Sequence, residues 1–122
     1  MNAINWFEIP VADFARAIAF YERVLAAKLH VDDSFPGMRL AVFPHAEAGV
    51  GGALFEHAEA RPHADGVRVY LNGGDDLGPL LERAVAAGGQ IVMPKTHLRD
   101  DIGCIAMFRD SEGNVIGLHS MH

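Results

Sequence analysis

From Asn5 to Val11 the side chains alternate. Asn5, Phe7, Ile9 and Val11 fall on one side and Trp6, Glu8 and Pro10 on the other, the period of a strand. Pro10 belongs at the end of that strand, because it cannot donate to a ladder. The period then changes. Behind Asp13, placed to cap a helix, Phe14, Ala17, Ile18, Tyr21, Val24, Leu25 and Leu29 recur every three or four residues. Arg16, Glu22, Arg23 and Lys28 take the opposite face. After the turn Ser34-Phe35-Pro36-Gly37, residues 38–43 and 49–55 read as strands joined around Pro44-His45-Ala46-Glu47.

The pattern then restarts. Asp76-Leu77, Leu80, Leu81, Ala84, Val85 and Gln90-Ile91 echo Asp13-Phe14, Ala17, Ile18, Val24, Leu25 and Lys28-Leu29, with the two caps 63 positions apart (76 − 13). Residues 66–72 supply the second opening strand. Pro79 fits the first turn of a helix capped by Asp76, and Gly88-Gly89 ends that helix. Residues 90–93, 104–109 and 115–121 give the remaining strands, the last two joined through Asp110-Ser111-Glu112-Gly113-Asn114. This predicts an α+β fold of two βαβββ modules, about 1–58 and 65–122, with a linker at about 57–65. The modules form a curved, barrel-like mixed sheet with helices outside and a cavity inside.

Composition narrows the function. At 122 residues, 50% hydrophobic and 21% charged, the chain has the size and apolar content of one domain. The formal charge of −6 and the absence of a Lys/Arg cluster argue against nucleic acid. No apolar run is long enough to span a membrane, no signal peptide is evident, and the single Cys104 has no internal disulfide partner. A cytoplasmic protein is expected.

Two segments carry a family resemblance. Ile9-Pro10-Val11-Ala12-Asp13 leads into Arg16-Ala17-Ile18-Ala19-Phe20-Tyr21-Glu22-Arg23-Val24-Leu25, and Phe108-Arg109-Asp110-Ser111-Glu112-Gly113-Asn114-Val115-Ile116-Gly117 stands near the other end. With the repeat, they make the chain resemble the vicinal oxygen chelate superfamily of glyoxalase I, extradiol dioxygenases and bleomycin-resistance proteins. The resemblance implies the two-module fold, a small-molecule ligand and a homodimer pairing modules within or between chains. In metal-dependent members the first strand of each module gives a His or similar ligand and the last strand a Glu. Counting back from the caps, these positions fall on Trp6 and Val69, on Gly117, and near Leu54. Such side chains cannot replace a His/Glu set, so neither metal nor other cofactor is expected.

Strand parity nominates other groups. Glu8 shares the face of Trp6, His119 that of Gly117 and Glu56 that of Leu54. Glu8 and His119 on a cavity wall would form an acid–base pair. Trp6, Val69 and Leu71, with Val67, would provide apolar contact, and Glu56 and Lys95 would be polar ligand contacts; Arg39 resembles Lys95. The leading expectation is a metal-independent, glyoxalase-like protein binding a small, partly apolar molecule with Glu8/His119 chemistry. One alternative is a sequestering binder without turnover. Another is a metal-dependent lyase or dioxygenase with a displaced site.

Overall fold

The structure, a computed structural model, describes residues 2–122. The first module runs β1 (Trp6–Pro10), α1 (Phe14–Leu25), β2 (His30–Asp32), β3 (Met38–Val42) and β4 (Gly51–His57). The second runs β5 (Tyr70–Asn72), α2 (Leu77–Ala86), β6 (Gln90–Arg99), β7 (Gly103–Arg109) and β8 (Val115–Ser120). Each module folds its own four-stranded sheet, in the orders β1-β4-β3-β2 and β5-β8-β7-β6. In each, the opening strand lies parallel to the last, and all other pairs are antiparallel. The expected two βαβββ modules are present. Within one chain the sheets do not close into a single barrel.

Local chemistry accounts for the helices. Asp13, in extended backbone, accepts from the Arg16 N–H, and Asp76 accepts from the Gly78 N–H, so each helix starts on a carboxylate cap. α1 ends where Ala26 adopts a left-handed conformation, and its N–H returns to the last turn. Most of the expected apolar positions are buried, Phe14, Ala17, Tyr21 and Val24 on α1 and Leu77, Leu80 and Ala84 on α2; Phe20 joins them, Ile18, Leu25 and Leu81 are partly buried, and Val85 is exposed.

The helices pack on one another, and the helix-side faces of both sheets join a single core. Ile9, Phe43 and Leu54 come from the first sheet, and Ala106, Phe108, Ile116 and Leu118 from the second. Tyr21 is the hub: its ring stands edge-on to Phe43 at 5.5 Å and tilted to Phe108 at 6.2 Å. Its hydroxyl donates to Asp110 Oδ2 at 2.6 Å.

The β7–β8 hairpin fastens the modules. Glu112, its side chain wholly shielded from solvent, accepts from the backbone N–H groups of Ala12 (2.9 Å) and Asp13 (2.7 Å), and from Arg16 Nε (2.7 Å) and Nη2 (3.0 Å). Asn114 donates to the Pro10 carbonyl at 2.8 Å. At the other end of α1, Arg83 of α2 donates to the Val24 carbonyl at 2.8 Å.

Several elements differ from expectation. β2 is an additional short strand of three residues, too brief for a period to emerge. β6 runs on to Arg99 through Pro94, tolerated because this is an edge strand with three register shifts. The second opening strand pairs only from Tyr70 to Asn72.

Candidate functional site

Each sheet has one face in the shared core and one facing away from it. Register decides which residues lie on the open faces. On the first sheet Trp6 is opposite Gly51 and Glu8 opposite Ala53, while Ile9 and Leu54 point together into the core. On the second sheet Tyr70 is opposite Gly117 and Asn72 opposite His119, while Leu71 and Leu118 are core.

Trp6, Glu8 and His119 are therefore on open faces, as parity suggested. Trp6 is 42% exposed, and its indole N–H donates to Glu8 Oε2 at 3.3 Å. Glu8 and His119 lie on different sheets, and neither the pocket beside His119 nor the one at the end of the first sheet joins them. His119 Nε2 stands 2.6 Å from the Ile102 carbonyl. A carbonyl only accepts, so Nε2 carries the proton there. The chain thus gives His119 a backbone partner rather than Glu8.

Four other candidates require correction. Val69 packs against the core, and Leu71 is a core residue whose edge only reaches a pocket. The strand-to-helix link is one residue longer in the second module: Ile9 precedes its cap by four residues, whereas Leu71 precedes its cap by five. That extra residue flips every side chain counted back from Asp76. Arg68 thereby takes the place equivalent to Trp6, and its guanidinium reaches Met107 Sδ at 2.8 Å. Leu54 faces the core, so Glu56 lies on the helix side, bound to Arg39 Nε at 2.7 Å. Arg39 in turn lies over the Phe14 ring, 4.4 Å from its centroid. Lys95 is occupied by Asp76 at 2.8 Å, and its ammonium braces a helix cap. This pairing raises the Lys95 pKa and lowers that of Asp76, chiefly through their mutual hydrogen bond.

Two aromatic contacts were not legible in the sequence. A side chain at Gly51 would strike the His45 ring, which is seated there edge-on to Trp6 at 6.4 Å. A side chain at Gly117 would strike the Tyr70 ring. Mid-strand glycine is a signal that something approaches closely. It does not say what.

The second sheet's open face holds a pocket of about 470 Å³ lined by Tyr70, Leu71, Asn72, Gly74, His119, Ser120 and Met121. A pocket of about 600 Å³ at the end of the first sheet is lined by Glu56, His57 and Arg61 among others.

The chain matches the model of the Glyoxalase/Bleomycin resistance protein/Dioxygenase superfamily over residues 3–118. It belongs to that superfamily. Among solved structures it is similar to a glyoxalase/bleomycin resistance protein from Streptomyces sp. CB03234, at 26% identity over 94% of this chain and 97% of that one, TM-score 0.69. It is also similar to TnmS3, an antibiotic binding protein from Streptomyces sp. CB03234, at 25% identity over 98% and 96%, TM-score 0.71. A glyoxalase I mutant from Zea mays, at 22% identity over 95% of this chain and 45% of that one, TM-score 0.69, shares the fold. No curated protein matches the chain.

Superfamily membership makes the metal positions testable. Gly117 lies opposite Tyr70, which follows Arg68 as Glu8 follows Trp6, so the counterpart of Gly117 is Ala53, opposite Glu8. The four places hold Trp6, Ala53, Arg68 and Gly117. Indole, methyl, guanidinium and hydrogen do not make a divalent-cation site. No group of three His, Cys, Asp or Glu suited to a metal occurs among the described residues. The donor set does not fit the family's ion.

Proposed function

We propose that the protein is a metal-independent, small-molecule-binding member of its superfamily, with a cavity formed between two copies. Glu8 of one copy and His119 of the other act there as an acid–base pair. The observation that carries this reading is the open face each sheet leaves bare, with Glu8 on one and His119 on the other. Strand positions on the first open face include Glu8 and Asp32 but no Lys or Arg; those on the second include Arg109 but no Asp or Glu, and Arg68, just before β5, reaches Met107 on that face. Laying the first sheet of one copy on the second sheet of another matches these charges and does so twice by symmetry. It also covers apolar groups near the unpaired edges β1 and β5, where Ile4, Trp6, Val67 (93% exposed) and Tyr70 are in water. The walls would combine indole, phenol and aliphatic surface with few polar groups, suiting a small, partly apolar molecule.

A sequestering role without turnover is the second reading, favoured by the likeness to the antibiotic binding protein TnmS3. Sedimentation equilibrium tests the assembly: twice the 13.2 kDa chain mass is expected, and a monomer at all concentrations would sink the shared cavity. A thermal-shift screen of chelator-treated protein tests the rest. Partly apolar compounds should raise the melting temperature without added nickel, zinc, manganese or ferrous iron; a requirement for any of these ions would refute metal independence. Turnover lost in His119→Ala with binding kept would separate the catalyst from the sequestering binder.

A further inference from the structure

The pocket on the second sheet has a polarity of its own. The Ile102 carbonyl holds the Nε2 proton of His119, leaving the lone pair of the neutral ring on Nδ1. No buried side-chain nitrogen or oxygen lacks a partner among the described residues, and Nδ1 has none, so solvent reaches it. The carbonyl is held in place by the chain around it. The Ile102 N–H bonds the Arg99 carbonyl at 2.9 Å, and Gly103 follows with φ +94°. A Cβ on Gly103 would lie 2.6 Å from the Met121 Cα and closer still to the Ser120 carbonyl oxygen. Only glycine lets the β6–β7 turn come this near to the end of β8.

Two donors line the same pocket as the imidazole. Asn72 is the register partner of His119, and its Oδ1 accepts from the Gly74 N–H at 2.9 Å, leaving its amide N–H₂ free to donate. Tyr70 is 47% exposed, and its hydroxyl has no partner among the described residues. Leu71 and Met121 supply apolar lining. A base and two neutral donors lining one pocket suit taking a proton from an oxygen acid and stabilising the resulting oxyanion.

We infer that this pocket binds a weakly acidic hydroxyl compound, a phenol or an enol, and takes its proton onto His119 Nδ1. The O–H bond breaks and its electron pair stays on the ligand oxygen, which accepts from Asn72 Nδ2 and the Tyr70 hydroxyl. The imidazolium keeps its Nε2–H on Ile102. Asn72, Tyr70 and His119 touch the ligand; Ile102 and Gly103 position the base. The inference rests on the proposed proton chemistry of His119 but not on a second copy, since all five residues belong to one chain.

The test uses 4-nitrophenol, whose ionisation is visible, on the full chain. At a pH where the free compound is neutral, the bound compound should show the phenolate band. 4-Nitroanisole, which has no proton to give, should bind about tenfold or more weakly. The band should vanish in His119→Gln and weaken in Asn72→Ala. A bound probe that stays neutral, equal binding of the ether, or no binding of either compound would overturn the inference. A readout on the unsubstituted protein covers the case in which a variant misfolds. Iodoacetamide should alkylate His119 at Nδ1, its lone pair displacing iodide; alkylation at Nε2 would refute the assigned base. Sedimentation as a monomer would remove the two-copy cavity and leave these results standing.

Discussion

The two helices begin in the same way and are secured differently. Both start on an aspartate cap. At α2 the support is local: Asp76 accepts from Gly78 and is braced by Lys95 of the same module. At α1 it comes from the other half of the chain, because Glu112 accepts from the N–H groups of Ala12 and Asp13 and from Nε and Nη2 of Arg16. A carboxylate at a helix N-terminus also meets the positive end of the helix dipole. The duplicated unit has thus become asymmetric. One copy supports its own helix, and the other relies on its neighbour.

Removing Glu112 should break that asymmetry. Glu112→Ala removes a shielded carboxylate that accepts five hydrogen bonds and should cost about 3 kcal/mol in urea unfolding. A loss comparable to that of Asp76→Ala would refute the contrast. The same carboxyl sets an acid limit. Burial pushes its pKa up, but the hydrogen bonds from Arg16, Asp13, Ser111 and Ala12 outweigh burial and hold it at about 2, against an ordinary 4.5. Its stabilisation is therefore complete above about pH 4.5 and disappears as the pH falls towards 2. Asp110 has the opposite sign, because burial raises its pKa despite the hydrogen bond from Tyr21. Its contribution is largest when protonated and is lost as the pH rises. Unfolding midpoints of the parent and Glu112→Ala proteins, measured from pH 6 to pH 2, should converge at the acid end.

Adjacent glycines sharpen the comparison between the sheet faces. Gly52→Ala drives a Cβ into the Phe7 ring, which stacks on buried Phe43, and should cost about 2 kcal/mol. Gly51→Ala displaces only the exposed His45 ring and should cost under about 1 kcal/mol, while changing the emission of Trp6, the chain's one tryptophan. Equal losses would mean that the open face is as tightly filled as the core. The cap variant Asp76→Ala should lower the urea midpoint measurably but by less than Gly52→Ala. Lys95→Met should be smaller still, since its ion pair is largely in water.

Much of the fold was legible in the sequence because apolar period is a local property. The α1 stripe, both aspartate caps and the Asp110–Asn114 hairpin occur where their spacing indicates. The site was legible only as far as parity could be carried without a gap. Trp6 and Glu8 lie within one strand, as do Gly117 and His119, and these pairs share the expected faces. Val69 and Leu71 were counted across the Gly73-Gly74-Asp75 link, where one additional residue reversed their orientation. Leu54 and Glu56 were placed by an offset carried across loops of unequal length, which has the same weakness. No sequence signal announced the bond between His119 and Ile102, because that bond depends on a turn meeting a strand end 17 residues later. Nor could composition show that Lys95 and Arg39 would spend their charge on Asp76 and Glu56.

The Arg83 contact carries the asymmetry to the other end of α1. With Glu112 at its first turn and Arg83 at its last, α1 has both termini held by groups encoded in the other half of the sequence. Residues 1–58 would now leave α1 without Glu112, Arg83, Asn114 or the Phe108 ring, whereas α2 keeps its own cap and brace. The two modules are a host and a dependant, and neither can be exchanged for the other.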